Sequence, residues 1–472
     1  MNVNYFSLIC ALALMAGQAQ ASLVKGKVLD TNGKPVANVV VTDGYHFTRT
    51  DSSGRYELDS DLSKSRFVYL STPSDYYIGL TDGWNDQFYR ALDKESEVNR
   101  HDFTLRKREE AIRNFVYIAM SDPQVRDLKQ FKRFQEETVP DLERTIKAFD
   151  GQEVHLMGLG DLVWDEMSLF EPYKKEISSL GVVASSTIGN HDHDQKYTAL
   201  SKLPTNRDGY AEGQFEHFFG PYNYSYNIGN VHVISLKDID YAGGKKYQER
   251  FGQEQLEWLR NDLSYVKPGT IVFINVHAPV FNQSDKGVSN VDDAEAFREI
   301  VKDYNTHIFA GHTHYYENNV MSPTLYEHNI GAACGAWWAG QVNRCGAPNG
   351  YLVVEVKGSE ISWHYKATNQ PADYQFRVYK PGEFKSYPDY LVVNVWDWDP
   401  SWKVCYSEKT GVAKEMERVD AEDQDYIDMN GKANGYLSEH LFRCQPSASS
   451  DQVTVTVTNR WGEVFTKTVS LR

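Results

Sequence analysis

Five short apolar runs, rich in β-branched and aromatic residues, each stop at a polar cluster. Phe115 to Met120 leads into Ser121-Asp122-Pro123-Gln124, Val154 to Leu159 into Gly160-Asp161, and Val182 to Ile188 into Gly189-Asn190-His191-Asp192. Ile271 to Val276 leads into His277, and His307 to Ala310 into Gly311-His312-Thr313-His314. Runs of this length and composition, bounded by Gly, Asp and Pro, predict strands. Between them lie segments of helical spacing, such as Gln253 to Leu263, where Leu256, Leu259 and Leu263 recur at three and four residues. Strands alternating with helices predict an α/β layered core whose ligand sites gather at the carboxyl ends of the strands. All five runs deliver Asp, Asn or His to that end, so the pattern predicts one shared cleft.

The flanks have a different texture. From about Val24 to Leu105, strand residues alternate at short spacing with turn signals such as Asn32-Gly33-Lys34-Pro35 and Asp51-Ser52-Ser53-Gly54. After about residue 368, Leu391 to Trp398 and Val453 to Thr458 again read as strands. The expected organisation is residues 1–21 as a signal peptide, 22–108 as an N-terminal β-sandwich module, 109–367 as the catalytic domain and 368–472 as a C-terminal β domain.

Carboxylates, amides and imidazoles placed together at strand ends are what a catalytic metal site needs. In order, these blocks resemble the calcineurin-like metallophosphoesterases, which run Asp-x-His, Gly-Asp, Gly-Asn-His-Asp, a lone His, then Gly-His-x-His. Four of the five blocks match, over about residues 113 to 320. The resemblance implies a β-sandwich core of two sheets flanked by helices, with small all-β domains at both ends. It implies two divalent metal ions, one held by Asp122, Gln124, Asp161 and His314, the other by Asp161, Asn190, His277 and His312. Asp161 would then bridge them. Two such ions about 3.5–4 Å apart acidify a bridging water, and the resulting hydroxide attacks phosphorus in line with the leaving group. His191 would sit beside the ions as proton donor to the departing oxygen, its ring oriented by Asp192 or by Asp165. The first block departs from the commoner pattern, with Gln124 where His is usual. A neutral amide oxygen is a harder ligand than an imidazole, so Mn, or Mg, is favoured over Zn or Fe.

The N-terminal texture is similar to carboxypeptidase-regulatory-like β-sandwiches, and the C-terminal one to the β domain that follows the core in a bacterial exported subfamily. Phe6 to Met15 is apolar and precedes Ala19-Gln20-Ala21, a cleavage-site pattern, so a periplasmic or secreted protein is expected. No second apolar stretch approaches the ~20 residues that would span a membrane. A net charge of −16 leaves no basic footprint for nucleic acid. Behind an export signal, the even set Cys334, Cys345, Cys405 and Cys444 suggests disulfides, and proximity favours Cys334 with Cys345 and Cys405 with Cys444.

His193 and Asp194, directly after the third block, are expected to touch substrate, and Tyr315, Trp337 and Trp338 could form an aromatic wall for a sugar, base or aromatic leaving group. His155, His232 and His307 lie inside or at the start of apolar runs and are expected to pack rather than ligate, while His217 and His328 are open. The function expected is an exported two-metal phosphatase or phosphodiesterase acting on a small-molecule or glycan-linked phosphate ester. The alternative is a glycan- or ligand-binding β-sandwich protein with a vestigial metal site. Site residues define the reaction but not the ester.

Overall fold

The computed structural model describes residues 21–197, 208–281, 291–409, 411–433 and 435–471. The segment expected as a signal peptide, with its Phe6 to Met15 run, lies outside the described residues.

The five apolar runs are strands, Asn114–Met120, Glu153–Leu159, Val183–Thr187, Ile271–Asn275 and Asn305–Ala310. The first three lie side by side in parallel at the middle of a seven-stranded sheet, and the last two are parallel neighbours in a six-stranded sheet. Their runs are continuous rather than alternating because both faces of each strand are covered. Along Asn114–Met120, Phe115, Tyr117 and Ala119 enter the core between the sheets, while Val116, Ile118 and Met120 enter the core under the helices. Tyr117 joins the two sheets: its ring meets Phe273 and Phe309 at 5.3 and 5.5 Å, and its hydroxyl donates to Asn275 Oδ1 at 2.8 Å. The result is a two-sheet sandwich with helices such as Val139–Ala148 and Phe170–Ser178 on its outer side.

Each flank is built on two four-stranded sheets, and the C-terminal one also carries the short helix Gln424–Asn430 where an all-β domain was expected. The N-terminal one is not a detached bead. Residues Leu80–Thr81 and Trp84–Asn85 extend the seven-stranded catalytic sheet, because Trp84 buries its ring in the helix-side core against Phe219 at 5.1 Å. The catalytic sheet ends with Glu360–Ala367, and the C-terminal sandwich starts with Phe376–Tyr379. Among the described residues no helix is long and apolar enough to cross a membrane.

The expected disulfides are absent: all four cysteines are free thiols. Cys334 lies in the helix-side core and Cys345 in the core between the sheets. Cys444 points into the C-terminal core beside Val404, and strand alternation turns the next residue, Cys405, to the opposite face. Nearness in sequence is not nearness of sulfurs here.

A buried charge cluster ties the N-terminal module to the catalytic domain. Arg66 pairs with Glu212 and Glu216, each at 2.9 Å, and Lys237 reaches Glu212 at 2.6 Å. Breaking a buried pair strands its partner's charge, so Arg66→Met should cost about 3–5 kcal/mol of stability. Chemical denaturation measures it; a loss within experimental error would show that water already screens the cluster.

Candidate metal centre

The strand ends converge as their alignment requires. Asp161 Oδ1 lies 3.4 Å from His277 Nε2, which is 3.0 Å from both Asn190 Oδ1 and His312 Nδ1. On the other side of Asp161 are Asp122, with His314 Nε2 at 3.5 Å from its Oδ1, and Gln124, whose Nε2 donates to Asp161 Oδ2 at 2.9 Å. Such closeness needs glycine at the turns. Gly160 has φ +81°, and a Cβ on Gly189 would fall on the backbone nitrogen and carboxylate of Asp161.

The three imidazoles are held by their outer nitrogens, which turns the other ring nitrogen of each toward the centre. His277 Nδ1 donates to Leu159 O at 2.8 Å and His314 Nδ1 to Gly335 O at 2.6 Å. His312 uses a carboxylate instead, donating from Nε2 to Glu249 at 3.0 Å and turning Nδ1 to the centre. Burial pulls the His277 imidazole down, but the carboxylates of Asp161, Asp122 and Asp238 outweigh it and raise it to about 10. A pocket that so strongly favours positive charge suits cations. Asp122 Oδ1 is buried without a hydrogen-bond partner, and ligand atoms of Asp161, His277 and His312 all fall within 4.8 Å of one another. The donor set and this orphaned oxygen therefore fit divalent metal.

The backbone is strained here. Asp122, Gln124, Asp161, Asp165, His312, His314, Trp337 and Trp338 have φ between 40° and 68°, eight of the twelve non-glycine residues with positive φ among those described. Each costs on the order of 1–3 kcal/mol, strain that clusters at functional sites where the surroundings enforce it.

Several expected roles change. Gln124 donates from Nε2 to Asp161 and leaves its oxygen 3.9 Å from Cys334 Sγ. Asp192 does not orient His191. Its two oxygens accept backbone N–H groups of Leu162, Val163 and Gly189, pinning two motif loops together. Asp165 takes that task, with Oδ1 2.7 Å from His191 Nδ1.

His193 is fully buried, donates to Gly189 O and stacks on Tyr241 at 4.5 Å, so it braces the loop and is closed to substrate. Asp194 is paired with Lys196. Trp338 donates from Nε1 to Pro123 O, supporting the first motif from behind. Of the proposed aromatic wall, Trp337 stacks on His314 at 4.6 Å, and Tyr315 faces Tyr436 of the C-terminal module at 6.3 Å.

The histidines expected to pack do so: His155 is bound to Glu153, His232 to Asp262, and His307 stacks on His328. His328 thereby joins the packed group, and His217 lies against the Phe218 ring at 4.9 Å.

The hairpin formed by Ile239–Gly243 and Lys246–Glu249 was not foreseen. It brings Glu249 to His312, the Tyr247 ring to 5.8 Å from His312, and Lys245 Nζ to 3.1 Å from Asp165 Oδ2. Its signal was present in Gly243-Gly244 between two tyrosine-bearing segments. Asp238, which accepts the His277 and Ala278 N–H groups, and Trp164, 5.2 Å from the His191 ring, also escaped the motif reading.

Family models match the chain in three successive stretches. These are the N-terminal part of calcineurin-like phosphoesterases at residues 22–108, the calcineurin-like phosphoesterase domain at 116–316, and the C-terminal part at 327–465. No curated protein matches the chain. Among solved structures, a dimetal phosphatase from Danio rerio is similar at 12% identity and TM-score 0.39, over 54% of this chain and 96% of its own. Purple acid phosphatase from yellow lupin (Lupinus luteus) seeds is similar at 16% identity and TM-score 0.40, over 54% of this chain and 51% of its own. For the 5'-nucleotidase from Candida albicans the values are 13%, 0.34, 55% and 52%, so the chain spans about half the length of the last two proteins. Because the middle match runs through every strand end from Asp122 to His314 and the outer two account for both β modules, the chain belongs to the calcineurin-like phosphoesterases and is a metal-dependent phosphoric ester hydrolase.

Proposed function

We propose that this centre hydrolyses a phosphate monoester or diester with two divalent ions sharing Asp161. Asp122 and His314 would hold the first ion together with Asp161, and Asn190, His277 and His312 would complete the second. When bound, the ions supply Lewis acidity and positive charge at the phosphoryl group. The observation that carries the reading is the convergence of one ring nitrogen from each of His277, His314 and His312, the other nitrogen of each being held by Leu159, Gly335 or Glu249.

The chain's own residues do the rest. His191 is not part of the ligand cluster: its backbone N–H donates to Asp161 Oδ1 at 2.8 Å, and its ring is swung to Asp165. With Nδ1–H given to Asp165, Nε2 is the atom that holds or passes the proton of the departing oxygen. Lys245 pairs with the other Asp165 oxygen, and Trp164 covers one side of the ring. Gln124 steadies the Asp161 carboxylate through its amide N–H.

Hydrolysis of matched mono- and diesters by protein loaded in turn with Mn, Mg, Zn and Fe tests the reading. Metal-dependent release of alcohol from one ester class supports it; no turnover of any ester with any metal refutes it. The Phe6 to Met15 run and Ala19-Gln20-Ala21 support export to the periplasm or medium, which fractionation of the full-length product checks by location and by loss of the leader.

Gln124→His puts an imidazole where the amide now faces Asp161. Metal preference should move toward Zn or Fe while the reaction stays the same, since imidazole suits those ions better. Unchanged selectivity in bound-metal analysis would confine Gln124 to its hydrogen bond with Asp161.

A further inference from the structure

The hairpin of Ile239–Gly243 and Lys246–Glu249 is tied to the metal centre at two places. At its tip Lys245 Nζ pairs with Asp165 Oδ2 at 3.1 Å, and the other Asp165 oxygen holds the His191 ring at 2.7 Å. At the end of its second strand Glu249 accepts from His312 Nε2 at 3.0 Å. One anchor thus serves the proton donor and the other a metal-ligating imidazole. Tyr247 lies midway between them, two residues from each, or about 7 Å of extended chain.

Strand alternation decides which way its side chain points. Lys246 and Gln248 are exposed while Tyr247 and Glu249 are half-buried, so Tyr247 shares the face that meets His312. Its ring approaches the His312 ring edge-on, at 5.8 Å and an interplanar angle of 80°, and packs against the cluster that holds Tyr241 and Ala278, the residue after His277. Burial raises the phenol, and the carboxylates that add to this are those of Asp161, Glu249 and Asp122, so the hydroxyl stands in the field of the centre's own acids.

Packing accounts for the ring but not for the oxygen. Among the described residues the Tyr247 hydroxyl has no hydrogen-bond partner, whereas that of Tyr241, directly opposite on the hairpin, accepts the Lys245 N–H at 3.2 Å. A half-buried phenol that faces a cation site is a donor for whatever the cations hold. On the two-ion reading above, on which this inference rests, that is the phosphoryl group, which must lie between the ion on His312 and the proton donor His191. Those are the two ends that the hairpin spans. We propose that Tyr247 contacts the substrate, its hydroxyl donating a hydrogen bond to a phosphoryl oxygen. A neutral donor suits the place: the ions meet the demand for positive charge, and the phenol adds a fixed dipole where negative charge develops.

Tyr247→Phe keeps the ring and its packing and removes the hydroxyl alone. Loaded with Mn, the variant should bind inorganic phosphate about tenfold more weakly by calorimetry. It should lose about 10- to 100-fold in kcat/KM on p-nitrophenyl phosphate or bis(p-nitrophenyl) phosphate, the range that a hydrogen bond to a charged group supplies. Its Mn content and melting temperature should match those of the wild type, which a role in holding His312 would not allow. If the wild type turns over neither ester, the hydrolase reading fails while the phosphate comparison still decides Tyr247. Equal phosphate affinity in the two proteins, phosphate binding by neither, or a fall in Mn content alongside the loss overturns the proposal.

Discussion

Asp161→Asn should empty the centre and lower kcat/KM by at least ~10³-fold, because the charge removed serves both ions and each decade corresponds to about 1.4 kcal/mol of transition-state stabilisation. The substitution is nearly isosteric. Asn keeps an acceptor for the His191 N–H that Asp161 Oδ1 now binds, so the loop need not move. A structural explanation is separated from a metal one by thermal unfolding. Added metal should raise the melting temperature of the wild type by mass action and leave the variant almost unaffected. Full metal content in the variant would remove Asp161 from its bridging place.

His191→Ala should show the opposite split: metal content retained, kcat lowered by roughly 10²–10⁴-fold. The ring is oriented by Asp165 rather than by the ligand cluster, so removing it takes away a proton donor and not a ligand. The loss should be largest for esters with poor leaving groups and should shrink as the leaving oxygen becomes able to depart unprotonated. Asp165→Asn should follow the same trend more weakly, since it disturbs the tautomer but keeps the imidazole. Equal losses for good and poor leaving groups would mean that His191 positions the phosphoryl group instead.

The strands and their convergence were legible because the same constraint wrote both. A strand buried on two faces needs a continuous apolar run, and its open carboxyl end is where polar side chains are tolerated, so run and motif abut at Met120, Leu159 and Ile188. What escaped lies in relations between distant segments. Asp192 adjoins His191 and Asp165 lies 26 residues upstream, and only the fold shows that three backbone N–H groups claim Asp192 and leave the ring to Asp165. His193 follows the motif directly, yet the 3₁₀ turn Asn190–Asp192 carries it inward onto Tyr241. The hairpin bearing Lys245 and Glu249 is too polar to stand out by hydrophobic pattern. The cysteines misled because pairing depends on which face each sulfur takes, and Cys405 and Val404 show how one residue reverses it.

The most direct measurement of the two-ion centre is anomalous X-ray scattering from crystals grown with Mn. It should show two peaks in the cleft, one against Asp122 and His314 and one against Asn190, His277 and His312, with Asp161 touching both. A single peak, or none, in crystals of a catalytically active preparation would contradict it.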